Sequence, residues 1–243
     1  MPRVLLAVGA NLGERHLTLD QSLAALTCLP NTHVLARSDW YETTPVGGPA
    51  NQPCFLNGAI LLHSSLPPSD LAQQLRLIET QLGRQRHFRW DARNIDLDLL
   101  LYGNLSIETP DLQIPHPRMA FRRFVLVPAC EIAAEMIHPT SGWTLAALRR
   151  HWQTLPRSVS VESSDRQLAA WLTTELQKHL TALARDQPNS PMIELLETNR
   201  SSTMSIRLDK HSPPHGPAVC IDSTDRQIIL QEALAAIAAA WTE

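Results

Sequence analysis

No lysine occurs before residue 178, and no GxxxxGK[ST] segment occurs anywhere, so a Walker-type phosphate loop is excluded. The four cysteines, Cys28, Cys54, Cys130 and Cys220, lie 26, 76 and 90 residues apart, so no CxxC pair exists to suggest zinc or dithiol chemistry. They read as reduced cytoplasmic thiols. No uncharged apolar run approaches the roughly 20 residues of a spanning helix; the longest, Ala233 to Trp241, has nine. The apolar start Val4 to Ala10 runs straight into Asn11, Gly13, Glu14 and Arg15, which argues for a buried strand over a signal segment. Aromatics make up only 5%, and a net charge of -3 gives no reason to expect a nucleic-acid partner. What remains is a soluble globular composition, 44% hydrophobic and 19% charged.

Composition shifts along the 243 residues. Residues 1–150 carry 13 arginines against 13 acids, whereas residues 151–243 carry eight basic and 11 acidic side chains. A first unit over 1–157 and a C-terminal extension over 158–243 are therefore expected. Val4–Val8 reads as a strand, and Leu19, Leu23 and Leu26 then recur at helical spacing. Thr32–Glu42 and Cys54–His63 read as two strands joined by a loop rich in Pro and Gly. Pro67 and Pro68 open a helix whose apolar face is Leu71, Leu75, Ile78 and Leu82, with Gly83 at its C-terminal cap. A strand over Ile95–Tyr102 closes a β-α-β-β-α-β order. That order predicts a ferredoxin-like α+β fold, an antiparallel sheet with helices on one face and room for a site on the other.

The chemistry is concentrated in Gly83–Asp98. Asp96 and Asp98 project to one side of a strand, about 6.6 Å apart along the chain, with Ile95, Leu97 and Leu99 facing the core. Their mutual repulsion would be relieved by a divalent cation, and Mg²⁺ is held by one or two carboxylates plus water and phosphate oxygens. Arg84, Arg86, Arg89 and Arg93 supply planar guanidiniums suited to phosphate. The competing readings are a solvated strand face, a self-neutralising Arg/Asp surface, and a glycosyltransferase-like metal motif.

Five segments in order carry a resemblance: Val8-Gly-Ala-Asn-Leu-Gly13, Tyr41-Glu-Thr-Thr-Pro-Val-Gly47, Phe55-Leu-Asn57, Arg93-Asn-Ile-Asp-Leu-Asp98 with Tyr102-Gly-Asn104, and Ile114-Pro-His-Pro117 with Arg122 and Phe124. The chain resembles the 6-hydroxymethyl-7,8-dihydropterin pyrophosphokinase family over about residues 3–140. The resemblance implies transfer of diphosphate from ATP to the pterin hydroxymethyl group with release of AMP, in folate biosynthesis. It implies two Mg²⁺ ions on Asp96 and Asp98, with Arg84, Arg93 and Arg122 as further catalytic groups. Glu79, Arg84, Arg93, His116 and Arg122 would bind ATP, and Arg86 and Arg89 would close a loop over it. Phe55 and Phe124 would sandwich the pterin, Asn57 would bond its edge, Thr43 and Val46 would offer main-chain groups, and Trp90 would fold over the site. Glu79 is equally explained as a solvated helix residue. Phe55 stands where the family often has Tyr, and Pro117 replaces an aromatic seen in some members.

The alternative to an enzyme is a non-catalytic ferredoxin-like module binding nucleotide or RNA, although neither an aromatic RNP-type strand nor a basic face is evident. The implied partners are ATP and the hydroxymethyl-dihydropterin, with no nucleic acid and no membrane, in the cytoplasm. Beyond residue 157, Glu162-Ser-Ser-Asp-Arg-Gln-Leu168 is echoed by Asp222-Ser-Thr-Asp-Arg-Gln-Ile228. Each copy follows a β-branched run and reads as a capping box, Ser164 to Gln167 and Thr224 to Gln227. With a strand at Met192–Leu196, the extension reads as a small α/β module. It carries no recognisable catalytic motif, and the echo is either an ancestral repeat or two similar caps.

Overall fold

The computed structural model describes residues 1–46, 52–84, 93–153, 157–186, 193–196, 204–208, 218–221 and 223–241. In chain order, β1 (Arg3–Ala10), α1 (Arg15–Thr27), β2 (Thr32–Arg37), β3 (Tyr41–Thr43), β4 (Phe55–Ser64), α2 (Pro68–Gln81) and β5 (Asp96–Tyr102) come first. They form an antiparallel sheet in the spatial order β2-β4-β1-β5, with β3 also paired to β4. The single strand expected over Thr32–Glu42 is thus two. Ser38 breaks the run by turning its Oγ to the Ala59 N–H at 2.9 Å. Trp40 then lies over Gly58, where a Cβ would come within 2.3 Å of the indole ring.

Period-two alternation divides the sheet's side chains between two cores. Val4, Leu6, Val8, Ile60 and Leu62 pack with Leu19 and Leu26 of α1 and with Leu71, Leu75 and Ile78 of α2. Leu5, Ala59 and Leu61 point the other way, toward Val125, Leu126 and Ala129 of α3 (Arg123–Ala133). Each fully buried leucine contributes about 1.5–3 kcal/mol. The expectation of helices on one face is therefore corrected. The second face is half covered by α3, because Val125, Leu126 and Ala129 give that helix an apolar stripe, and only the end of the sheet beyond it stays open. The hairpin β6 (Ile107–Glu108) and β7 (Gln113–Ile114) precedes α3, and α4 (Leu145–Gln153) follows it.

The C-terminal region is a four-stranded parallel sheet, order β11-β10-β8-β9, formed by β8 (Arg157–Glu162), β9 (Ile193–Leu196), β10 (Met204–Arg207) and β11 (Ala218–Cys220). Its helices are α5 (Arg166–Asp186) and α6 (Arg226–Trp241). The echoed segments lie where β8 enters α5 and β11 enters α6, but the capping residue is the aspartate. Asp165 Oδ1 accepts the N–H of Gln167 and Leu168 at 2.9 and 3.0 Å, and Asp225 Oδ1 accepts those of Gln227 and Ile228 at 2.8 and 3.3 Å. The expected Ser164 and Thr224 caps are replaced because a carboxylate one residue on is the stronger acceptor at a helix N-terminus.

Candidate active site

The open end of the second sheet face is floored by small residues. Gly9 of β1 pairs with Asn57 on one side and Asp96 on the other, and Ala7 pairs with Ala59 and Asp98. Asn57, Asp96 and Asp98 therefore stand in two adjacent rows on one face, as the i, i+2 spacing predicts. Gly9 leaves room for the Asn57 amide in this position, since a Cβ would lie 2.5 Å from Asn57 Oδ1. The Asn57 amide donates to Thr43 Oγ1 at 2.7 Å, which ties β4 to the neighbouring β3. Phe55 pairs with Thr43 and is half-buried at the same end. Val46 packs against the α3-side core.

The arginines are positioned by a helix terminus. Gly83 has φ +82°, and the N–H groups of Gly83 and Arg84 return to the carbonyls of Thr80 and Glu79 at 3.1 and 3.0 Å, a Schellman end to α2. Arg84 is thereby brought over Glu79. Glu79 is 3% exposed, which removes the solvated-helix reading. Its Oε1 accepts the Leu97 N–H at 2.7 Å and pairs with Arg84 Nη1, so one carboxylate joins α2 to β5. Arg84 and Arg93 then grip Asp96 from both sides, at 2.7 Å to Oδ1 and 2.7 Å to Oδ2. Asn94 Nδ2 donates to the Gly83 carbonyl at 3.1 Å, so the two ends of the segment between Arg84 and Arg93 are stapled together. Arg86, Arg89 and Trp90 lie outside the described residues.

The opposite wall comes from the segment after β7. His116 Nε2 is 3.8 Å from Asp98 Oδ2, and its Nδ1 accepts the Arg118 N–H at 3.1 Å. A ring whose Nδ1 lone pair is so used carries its proton on Nε2, facing Asp98. Burial and then the Arg122 charge hold the imidazole down to about 3, so it is neutral at ordinary pH. Arg122 sits at the N-cap of α3, 5.5 Å from the Phe124 ring centroid. Burial lowers it to about 10, which leaves it charged at neutral pH. Burial, then the neighbouring Asp98, push Asp96 above the ordinary carboxylate range against the pull of Arg93, Arg84 and Arg122. Asp96 thus sits between two guanidiniums with Asp98 as a like-charged neighbour, a repulsion that a divalent cation would relieve.

Several groups had no distinct role in the sequence reading. Asn11, buried at 1%, accepts the Arg93 N–H at 2.7 Å and donates to Gln52 Oε1 and to the Pro53 carbonyl, both at 3.3 Å. It joins the arginine arm to the start of β4. Glu131 of α3 accepts the Asp39 N–H at 2.9 Å and the Tyr41 hydroxyl at 2.8 Å. A buried Asn ending an apolar strand was the available signal for Asn11; nothing local distinguishes Glu131.

The family model of 7,8-dihydro-6-hydroxymethylpterin-pyrophosphokinase matches residues 5–134. The chain belongs to that family. The pyrophosphokinase relatives agree. The 2-amino-4-hydroxy-6-hydroxymethyldihydropteridine pyrophosphokinase of Synechocystis sp. is 40% identical over 144 residues, 59% of this chain and 73% of that protein. The protein of the same name from Pseudomonas aeruginosa is 41% identical over 137 residues, 56% of this chain and 84% of that one, and the Bacillus subtilis one 43% over 131 residues, 54% and 78%. The solved Plasmodium falciparum HPPK-DHPS superposes with a TM-score of 0.49 at 11% identity, covering 95% of this chain and 59% of that one, so this chain spans less than two thirds of it. The match to the pyrophosphokinase family contains every residue of this site singled out above, and it stops at Ala134, just past the end of α3.

Proposed function

We propose that this pyrophosphokinase moves the terminal diphosphate of ATP onto the hydroxymethyl oxygen of 6-hydroxymethyl-7,8-dihydropterin. One observation carries the reading: a carboxylate pair and four guanidinium or imidazole groups converge beside Phe55 and Asn57, at the open end of the sheet, in a chain of this family. The pterin oxygen attacks the β-phosphorus, the Pα–O–Pβ bridge opens, AMP departs with the bridging oxygen and its electron pair, and the hydroxyl proton passes to solvent. Phe55 and Phe124 offer the ring two flat faces, and the Asn57 amide meets its polar edge.

Among the described residues no cluster of three or more His, Cys, Asp or Glu could hold a metal. The protein thus offers two hard carboxylates, Asp96 and Asp98, and the rest of an octahedron falls to water and phosphate oxygens, which fits Mg²⁺. Bound there, two such ions would neutralise triphosphate charge and orient the reacting groups. Arg84 and Arg93, now occupied by Asp96, are the donors that the phosphates would take up. Neutral His116 gives a hydrogen bond through Nε2 without adding charge, and Arg122 gives a full positive charge from the N-cap of α3. Both stabilise the charge that develops as the bridge opens.

In the same proposal residues 1–157 are the ferredoxin-like kinase unit, 158–243 are the extension, and the enzyme works in the cytoplasm. The test is the nucleotide product. With Mg²⁺, ATP and hydroxymethyl-dihydropterin the enzyme forms AMP and pterin diphosphate; formation of ADP overturns the reading.

A further inference from the structure

The family match ends at residue 134, yet the remainder of the chain does not stand apart from the phosphate site. Ile229, Ala233 and Ile237 of α6 share one hydrophobic core with Leu126, Ala129 and Ala133 of α3. At the edge of that core Glu232 Oε2 meets Arg118 Nη2 at 2.7 Å, across 114 residues of sequence, with side chains 16% and 25% exposed. Arg118 is the residue whose backbone N–H fixes the His116 ring, and it lies four residues before Arg122. A second tie reaches the same segment: Trp152 of α4 donates Nε1–H to the Ala120 carbonyl at 2.6 Å, and its ring stands 5.7 Å edge-on from Trp241 at the end of α6. The segment between His116 and Arg122 is therefore pinned by side chains from beyond the family match.

We infer that Glu232 is a positioning residue for diphosphate transfer, holding Arg118 so that His116 and Arg122 keep their places beside Asp98. The inference rests on the proposed reading of the site. Its physical basis is geometric. A mostly buried ion pair is costly to break from one side, and a guanidinium released from Glu232 would shift the backbone N–H that fixes the His116 ring and reach for the same phosphate oxygens. Of the pterin contacts, Phe55 and Asn57 on β4 and Thr43 on β3 lie on strands outside this arrangement, whereas Phe124 lies 5.5 Å from Arg122.

The experiment compares full-length wild type with Glu232→Gln, Glu232→Ala, the exchange Arg118→Glu with Glu232→Arg, and Asp225→Ala. AMP formation gives kcat and the nucleotide and pterin KM values. Titration with Mg²⁺ and α,β-methylene-ATP gives nucleotide affinity, and thermal unfolding gives stability. Glu232→Ala is expected to lower kcat about tenfold and weaken nucleotide affinity several-fold, with a smaller change in the pterin KM, through Phe124 beside Arg122. The exchange restores most of both. Asp225→Ala loosens the same helix at its cap and lowers the unfolding midpoint without this kinetic signature. Wild-type kinetics in Glu232→Ala overturn the inference, and so does a loss that follows the unfolding midpoint in all variants alike. If the wild type forms no AMP, the proposed activity falls, and nucleotide affinity alone decides: a loss restored by the exchange supports the inference, and no loss rejects it.

Discussion

Asp96 and Asp98 differ in how the protein holds them. Asp96 is held by two guanidiniums, while Asp98 is 35% exposed and, among the described residues, has its ion-pair contact with His116. Asp98→Asn therefore removes charge without unpacking anything. It should lower AMP formation by about two decades or more while circular dichroism and the unfolding midpoint stay close to wild type. Gly9 gives a subtler test. Gly9→Ala puts a methyl 2.5 Å from Asn57 Oδ1, so the amide must leave its Thr43 partner. The pterin KM should rise about tenfold, equivalent to about 1.4 kcal/mol. Nucleotide affinity should change less than twofold, and a rise in both would show that Gly9 serves the whole sheet end. At this scale the sequence was informative about type and spacing: D-x-D on a strand and Gly at a helix end both follow from local geometry. Glu79 was not legible, because its burial depends on Arg84 and the Leu97 N–H arriving from a loop and a strand 5 and 18 residues away.

Among the elements, the two helices of the C-terminal sheet offer a matched pair. Asp165 and Asp225 each accept two N–H groups, and Ser163 and Ser223 each accept the aspartate N–H at 3.1 Å. Asp165→Ala and Asp225→Ala should each cost about 1 kcal/mol in urea unfolding, and by similar amounts. Unequal losses, one near zero, would mean that the echo in sequence does not carry an echo in energetics. The strand break at Ser38 and the placement of α3 on the second face escaped the sequence reading for one reason. Propensity reports on neighbours along the chain, whereas Ser38 answers to Ala59 and α3 answers to Leu5 and Leu61.

For the whole molecule, the α3-side core runs without interruption from Leu5 and Leu61 through α3 and α4 to Val159, Ile206 and Ile237. Calorimetry should therefore show one unfolding transition for the full chain, and two separated transitions would mean independent units. Stability should also fall in acid. His138, 7% exposed in the turn after α3, accepts the Ser141 N–H on Nδ1 at 3.3 Å and is lowered by burial to about 4, while His116 is lowered to about 3. Both folded values lie below the ordinary imidazole value of 6.5. Between pH 6.5 and those values the unfolded chain takes up protons that the folded chain refuses, so the stabilisation present above 6.5 is lost as pH falls. Each ring adds a slope of up to about 1.4 kcal/mol per pH unit. His138→Asn, which keeps an acceptor for Ser141, should flatten the urea-unfolding free energy measured from pH 7 to 5; an unchanged slope would place the acid sensitivity elsewhere.

Strand and helix order, the shared direction of Asp96 and Asp98, and the family's motifs were set by the sequence itself, because each depends on residues close together in the chain. Which face α3 covers, how Glu79 and Asn11 tie the arginine arms, and how Glu232 reaches Arg118 were decided only by the tertiary structure. Those contacts join groups from 5 to 114 residues apart, and no local periodicity encodes a partner at such a distance.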